Sequence, residues 1–205
     1  MPKEVDHDER REELLEAVWH VIARDGMERA TIRAIAKETG WSSGVLAHYF
    51  ADKEDILTSA LQLSRERIRA RWDEKLADLK GVAALRELVL DNLPLDDERE
   101  LETRFHFNYW TRLLTREGVA AAHWRQGPEL VDRLTGLVEE AQALGEIDAG
   151  VPSADVGERL LALIDGLSLH ALLNPERLTR ARQVEIVERE FEQMATWRME
   201  ERDHA

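Results

Sequence analysis

Between Thr31 and Lys53 the chain reads TIRAIAKETGWSSGVLAHYFADK, and the side chains able to meet a phosphate or a base edge are concentrated there. Hydroxyls stand at Thr31, Ser42, Ser43 and Tyr49, cations at Arg33 and Lys53, and an imidazole at His48. Ser42 and Ser43 fall where a helix is expected to begin. Free N–H groups and the helix dipole favour an anion at such a point. Ser43, Gly44, Ala47 and His48 form a compact face, and small side chains let a helix approach the floor of a DNA major groove. Tyr49 reads in two ways, as a phosphate contact or as a packing residue with only its hydroxyl at the surface.

Two short helices must hold these groups, joined by a tight turn at Gly40-Trp41. Gly40 supplies the backbone freedom that a helix-turn-helix corner needs. Thr31 is expected to cap a helix over Ile32–Thr39, Ser42 one over Ser43–Tyr49, and Asp52 a long one from Lys53 to about Leu79. Ile32, Ile35, Ala36, Val45, Leu46 and Phe50 are expected to build a small core against a first helix from about Asp8 to Asp25. That helix carries Leu14, Leu15, Val18, Val21 and Ile22 on one face and stops at Gly26. Further helices are expected over about Val82–Asn92, Glu98–Arg116, Val119–Leu144 with a break near Gly127-Pro128, Ala154–Leu173 and Arg180–Glu201. Pro and Gly punctuate the gaps, and alternating strand patterns are nearly absent.

A second group lies in the middle of the chain. His106, Tyr109 and Trp110 share a helix face at i, i+3 and i+4, and Trp124 can approach from the next helix. The group reads either as plain core or as an aromatic pocket for an apolar or cationic molecule. Glu102 nearby either adds to a cation preference or is a solvated carboxylate. His123 and His170 read as core or interface residues rather than metal ligands, since there is no His-Glu-x-x-His pattern and no cysteine. No Gly-rich phosphate loop and no G-x-S-x-G elbow occurs, so enzyme chemistry has no constellation to rest on, and no cofactor is implied.

Composition narrows the classes further. Hydrophobic residues make up 43% and charged residues 34% of the 205, as in a soluble globular chain. The lack of cysteine suits a reducing cytoplasm, and neither a membrane-spanning run nor a signal-like apolar start is present, so a cytoplasmic protein is expected. The net charge of −14 opposes DNA binding, but residues 29–53 carry four Lys/Arg against two Asp/Glu, a local balance of +2.

The order GMERATIRAIA, GWSSGVLAHYF, DKEDIL resembles the tetracycline-repressor (TetR) family, most closely over about residues 10–57. DGLSLHALLNP at Asp165–Pro175 resembles, more loosely, the choline-sensing BetI-type branch. The resemblance implies a head that binds a palindromic double-stranded operator as a dimer, and a body that binds a small-molecule effector and releases the DNA. It implies that Thr31 and Arg33 touch the backbone or a groove edge. Ser42, Ser43 and Gly44 would then enter the groove, while His48, Tyr49 and Lys53 hold phosphates. Trp41 belongs to this set but stands where a smaller aliphatic residue is usual, and Ala47 where an aromatic is usual. Base preference therefore does not carry over.

The expected fold is all-α: a three-helix, helix-turn-helix head over residues 1–52, then a larger helical ligand-binding and dimerisation domain over 53–205. Apolar faces with Leu160, Leu161, Leu163, Ile164, Leu167 and Leu172, and with Val184, Val187, Phe191 and Met194, suggest a two-fold four-helix interface near 154–173 and 180–201. Alternatively, both faces close the protomer's own core. The function expected is ligand-responsive repression of transcription. The rival is an all-α enzyme or small-molecule carrier with a vestigial helix-turn-helix.

Overall fold

The structure, a computed structural model, describes residues 7–27, 29–115 and 129–202. Among them the chain forms helices α1 (His7–Asp25), α2 (Ile32–Thr39), α3 (Ser43–Tyr49), α4 (Lys53–Leu76), α5 (Gly81–Asp91), α6 (Asp97–Thr115), α7 (Glu129–Ala143), α8 (Ser153–Leu173) and α9 (Arg180–Arg202), with no strand. The all-α class expected from the periodicity is what the chain adopts. The expected helix start at Val119 and the break at Gly127-Pro128 lie outside the described residues.

The chain divides into two compact units. The first comprises Met1–Ala70 and Arg104–Thr115, so it takes in the early part of α4 and the late part of α6. Its core is Leu14, Val18, Val21, Ile22, Ile35, Leu46, Ile56, Leu57 and Phe105, each no more than 2% exposed. On α1 these positions repeat at three and four residues and make the buried stripe. Gly26 ends α1 with φ +82°, and its N–H donates to the Ile22 carbonyl at 2.9 Å. A β-carbon there would come within 3.3 Å of Asn108 Oδ1 on α6. Trp19 of α1 meets Phe105 of α6 edge to face, with ring centres 6.2 Å apart.

The second unit holds Arg71–Thr103 and the chain from Arg116 onward. α7 and α8 approach closely because Gly157 is buried against Thr135, whose Oγ1 would lie 2.5 Å from a β-carbon at that position. α7 and the turn after it also cap α5. Glu140 Oε2 accepts from Gly81 N–H at 3.0 Å and Glu146 Oε2 from Val82 N–H at 2.8 Å. Carboxylates at a helix N-terminus satisfy orphan donors and oppose the dipole. Val187, Phe191 and Met194 of α9 are buried within the protomer, as are Leu160, Ile164 and Leu167 of α8. Val187, Phe191 and Met194 of the α9 seam are therefore covered within the protomer, while Val184 is left half-buried. On α8 the exposed stripe is Ala162, Gly166, Leu169 and Leu173, at spacings of four, three and four.

Candidate nucleic-acid interface

The recognition unit is assembled from local capping. Thr31 takes extended backbone angles and its Oγ1 accepts from Ala34 N–H at 3.2 Å, which starts α2. Gly40 ends α2 in the left-handed region at φ +71°, open to residues with no Cβ penalty. Ser42 then repeats the Thr31 device, its Oγ accepting from Val45 N–H at 3.3 Å. Phe50 closes α3 by donating its N–H to the Leu46 carbonyl. Two aspartates tie the start of α4: Asp52 Oδ1 accepts from Asp55 N–H, and Asp55 Oδ2 from Ala51 N–H, both at 2.9 Å. The first is an N-cap bond, and the second reaches back one residue before the cap.

α3 is anchored by Leu46 and Phe50, 1% and 4% exposed, with half-buried Tyr49 beside them. One turn carries the whole anchor, so Ser43, Gly44, Ala47 and His48 stand exposed as the spacing predicted. Val45 departs from expectation. It is 39% exposed and belongs to the presented face rather than the mini-core. Ile32 is only half-buried. Rings brace the end of the helix: Tyr49 lies 6.0 Å from Trp41 and 5.6 Å from His48, the latter edge to face. Tyr49 and Trp41 are both half-buried, so each has a packed side and an open side.

The cations sort into two groups. Arg33 is exposed, as are Thr31, Arg29 and Lys37. Arg24 is instead neutralised, pairing with Asp25 at 2.8 Å and Glu38 at 3.1 Å. Lys53 is half-buried and its Nζ donates to the Met27 carbonyl at 2.9 Å, tying the start of α4 to the turn after α1. Sequence reading missed this tie because it spans 26 residues and leaves no local signature.

The aromatic group on α6 falls in the first unit. His106 Nε2 lies 3.4 Å from Ser64 Oγ of α4, and its ring abuts Phe105. Trp110 packs edge to face on Phe107 at 5.0 Å. His106, Tyr109 and Trp110 are each half-buried. Trp124 and His123 lie outside the described residues. His170 is exposed on α8. Glu102 is neither a solvated carboxylate nor an open anion for a ligand. It is buried, and Arg71 donates to both its oxygens at 2.7 Å. In the second unit an open cavity of about 400 Å³ lies at the turn between α8 and α9, lined by Pro94, Leu172, Pro175, Leu178 and Gln183 among others.

A capped helix-turn-helix followed by an all-helical body is the architecture of a one-chain bacterial transcriptional regulator. Comparison with known proteins agrees at both ends of the chain. Residues 14–60 match the description "Bacterial regulatory proteins, tetR family", and residues 81–196 match "BetI-type transcriptional repressor, C-terminal". The HTH-type transcriptional regulator PksA of Bacillus subtilis is 36% identical over 189 residues, covering 89% of this chain and 88% of that protein. The HTH-type transcriptional regulator BetI of Serratia proteamaculans is 26% identical over 188 residues, covering 90% and 91%. Among solved structures, a protein from Saccharomonospora viridis in complex with choline superposes with a TM-score of 0.84 at 24% identity, covering 91% of this chain and 97% of that one. FadR of Bacillus subtilis in complex with stearoyl-CoA superposes at 0.62 with 19% identity, covering 90% and 97%. The chain belongs to the TetR family of transcriptional regulators, with a BetI-type C-terminal domain.

Proposed function

We propose that this protein is a cytoplasmic repressor that binds a palindromic operator as a homodimer and releases it when a small molecule occupies the body. The observation that carries the reading is the exposed face of α3. Ser43, Gly44, Val45, Ala47 and His48 are presented by a helix anchored by Leu46, Tyr49 and Phe50. Such a face fits a major groove, with Ser43 and Gly44 nearest the base edges and Val45 suited to a thymine methyl. Thr31, Arg33, Trp41, Ser42, His48 and Tyr49 flank it as candidates for backbone contacts, and these position rather than specify. Lys53 reaches a phosphate only by giving up, or sharing, its bond to Met27.

The dimer is proposed to form through α8 and α9. The α8 stripe Ala162, Gly166, Leu169 and Leu173 supports this, since Leu173 is 70% exposed and nothing among the described residues outside α8's own backbone stands within 4 Å of a β-carbon at Gly166. Closure by a two-fold axis spaces the two heads for half-sites about 34–36 Å apart or a multiple of it. In this reading residues 1–52 read DNA and residues 53–205 sense and dimerise. His106, Tyr109, Trp110 and Trp124 are the candidate ligand contacts, and the choline and stearoyl-CoA complexes of similar folds support a body that takes small molecules.

The test is selection of bound duplexes from a random pool, followed by a screen for molecules that release the selected duplex. A palindrome recovered by the wild-type chain, with affinity falling steeply as salt rises, is the expected result. Recovery of no enriched sequence would turn the reading toward a carrier with a vestigial helix-turn-helix.

A further inference from the structure

The cavity at the turn between α8 and α9 is built wholly from the second unit. Its walls are mostly apolar. Pro94 comes from the turn before α6, Ala171 and Leu172 from the end of α8, and Pro175 and Leu178 from the connection to α9. Its volume of about 400 Å³ falls within the range of small-molecule sites. Ala171 stands two residues from both Leu169 and Leu173, and on a helix such neighbours point nearly opposite ways. The side of α8 that lines the cavity is therefore not the side offered to a second copy.

One polar group of the wall is unsatisfied. Gln183, in the first turn of α9, lines the cavity and is only 2% exposed. Its Nε2 donates to the Leu178 carbonyl at 3.2 Å, which fixes the way the amide is turned. Its backbone N–H donates to the Thr179 carbonyl at 3.0 Å. Oε1 accepts no hydrogen bond from any described residue. A buried amide oxygen without a donor has lost its hydration and gained nothing in return, so such acceptors are nearly always paired. Apolar walls with a polar group among them are the usual make-up of a site that orients a small ligand.

The nearby charges narrow the class. Arg180 lines the same cavity and is already held by Asp97 and Glu100. Two carboxylates on one guanidinium leave no surplus positive charge for an anion. A cation between apolar walls would shed its hydration and meet only an uncharged oxygen at Gln183.

We propose that this cavity is a further small-molecule site, for an uncharged, largely apolar molecule whose N–H or O–H donates to Gln183 Oε1. None of its residues belongs to the aromatic group on α6, and the proposal does not rest on operator binding.

The test uses the full-length chain with isotope-labelled leucine methyl groups, and benzamide as the probe. Benzamide is expected to shift the methyl signals of Leu172 and Leu178 saturably in the millimolar range, as suits a molecule of its size. N,N-dimethylbenzamide keeps the ring and the carbonyl but has no N–H, and it is expected to bind about tenfold more weakly, the loss of one hydrogen bond. Benzylammonium and benzoate are expected to bind more weakly than benzamide as well. Gln183→Leu removes the acceptor and is expected to abolish the difference between the two amides. The absence of a saturable shift at either leucine overturns the proposal, as does equal binding of the dimethyl amide or of either ion. A folded Gln183→Leu variant that keeps the wild-type preference also overturns it. If that variant fails to fold, Ala171→Leu, which adds bulk to the cavity wall, is measured instead. Loss of the benzamide shifts then supports the proposal, and their survival overturns it.

Discussion

At Lys53 one ammonium is asked to serve two partners. Its bond to the Met27 carbonyl is a fold contact, half-buried and between elements far apart in sequence. Lys53→Ala is therefore expected to lower the unfolding free energy by about 1–2 kcal/mol, the usual cost of a hydrogen bond from a charged group. Urea denaturation checks this, and an unchanged midpoint and slope would mean the bond contributes nothing. Arg33 makes the cleaner probe of DNA contact, being exposed with no ion pair among the described residues. Arg33→Ala is expected to weaken binding on all sequences alike and to lower the salt slope by about one unit. A variant with the full slope would remove Arg33 from the phosphate-contacting set. Residue types alone separated these two cations poorly. Both are basic residues beside the recognition helix, and only the fold shows which one already has an acceptor.

Capping made the elements of the head legible. Thr31, Ser42 and Asp52 each accept from the backbone N–H three residues on, and Gly40 takes the left-handed angle expected of it. These signals are local, so they survive in the sequence. Packing partners are not local. The run Val184, Val187, Phe191, Met194 shows that α9 has an apolar stripe, but periodicity does not say whether the protomer or a second copy covers it. Val45 was unreadable for another reason, since a seven-residue helix is too short for its apolar positions to define a face. Gly81 also escaped the sequence reading, which began the helix one residue later. It has φ +55°, and a β-carbon there would stand 2.0 Å from Glu146 Oε2 and 2.9 Å from Leu144 Cδ1. Gly81→Ala must strain the backbone and displace the carboxylate that caps Val82. The expected loss is about 2–4 kcal/mol, the sum of an unfavourable φ and a lost cap. Chemical denaturation measures it, and a loss below about 0.5 kcal/mol, within the range of ordinary surface changes, would show that the α5 start relaxes freely.

For the whole molecule, charge is the dominant condition. The chain carries −14, a field that repels DNA, so in the proposed complex a small basic region would have to act against it. Burial adds a second, pH-dependent condition through Asp165 of α8. It is half-buried with no hydrogen bond or ion pair among the described residues, and burial alone pushes its carboxyl up to about 6. An acid whose pKa is raised by folding favours the fold when neutral. That contribution is fully present below the unfolded value of about 3.9 and is lost as pH rises through 6. Above pH 6 the fold must therefore hold an ion in a poorly hydrated place. Asp165→Asn removes the ionisation and keeps the shape. The variant is expected to melt above the wild type at pH 8, with the difference shrinking through pH 6 and gone near pH 4. Melting curves belong at one fixed protein concentration, because any association of copies would shift the midpoint by mass action. A variant that melts below the wild type at pH 8 would reverse the argument. The carboxylate would then have a cationic partner in the assembled protein, and the same measurement repeated across protein concentrations would tell a second copy from a bound ligand.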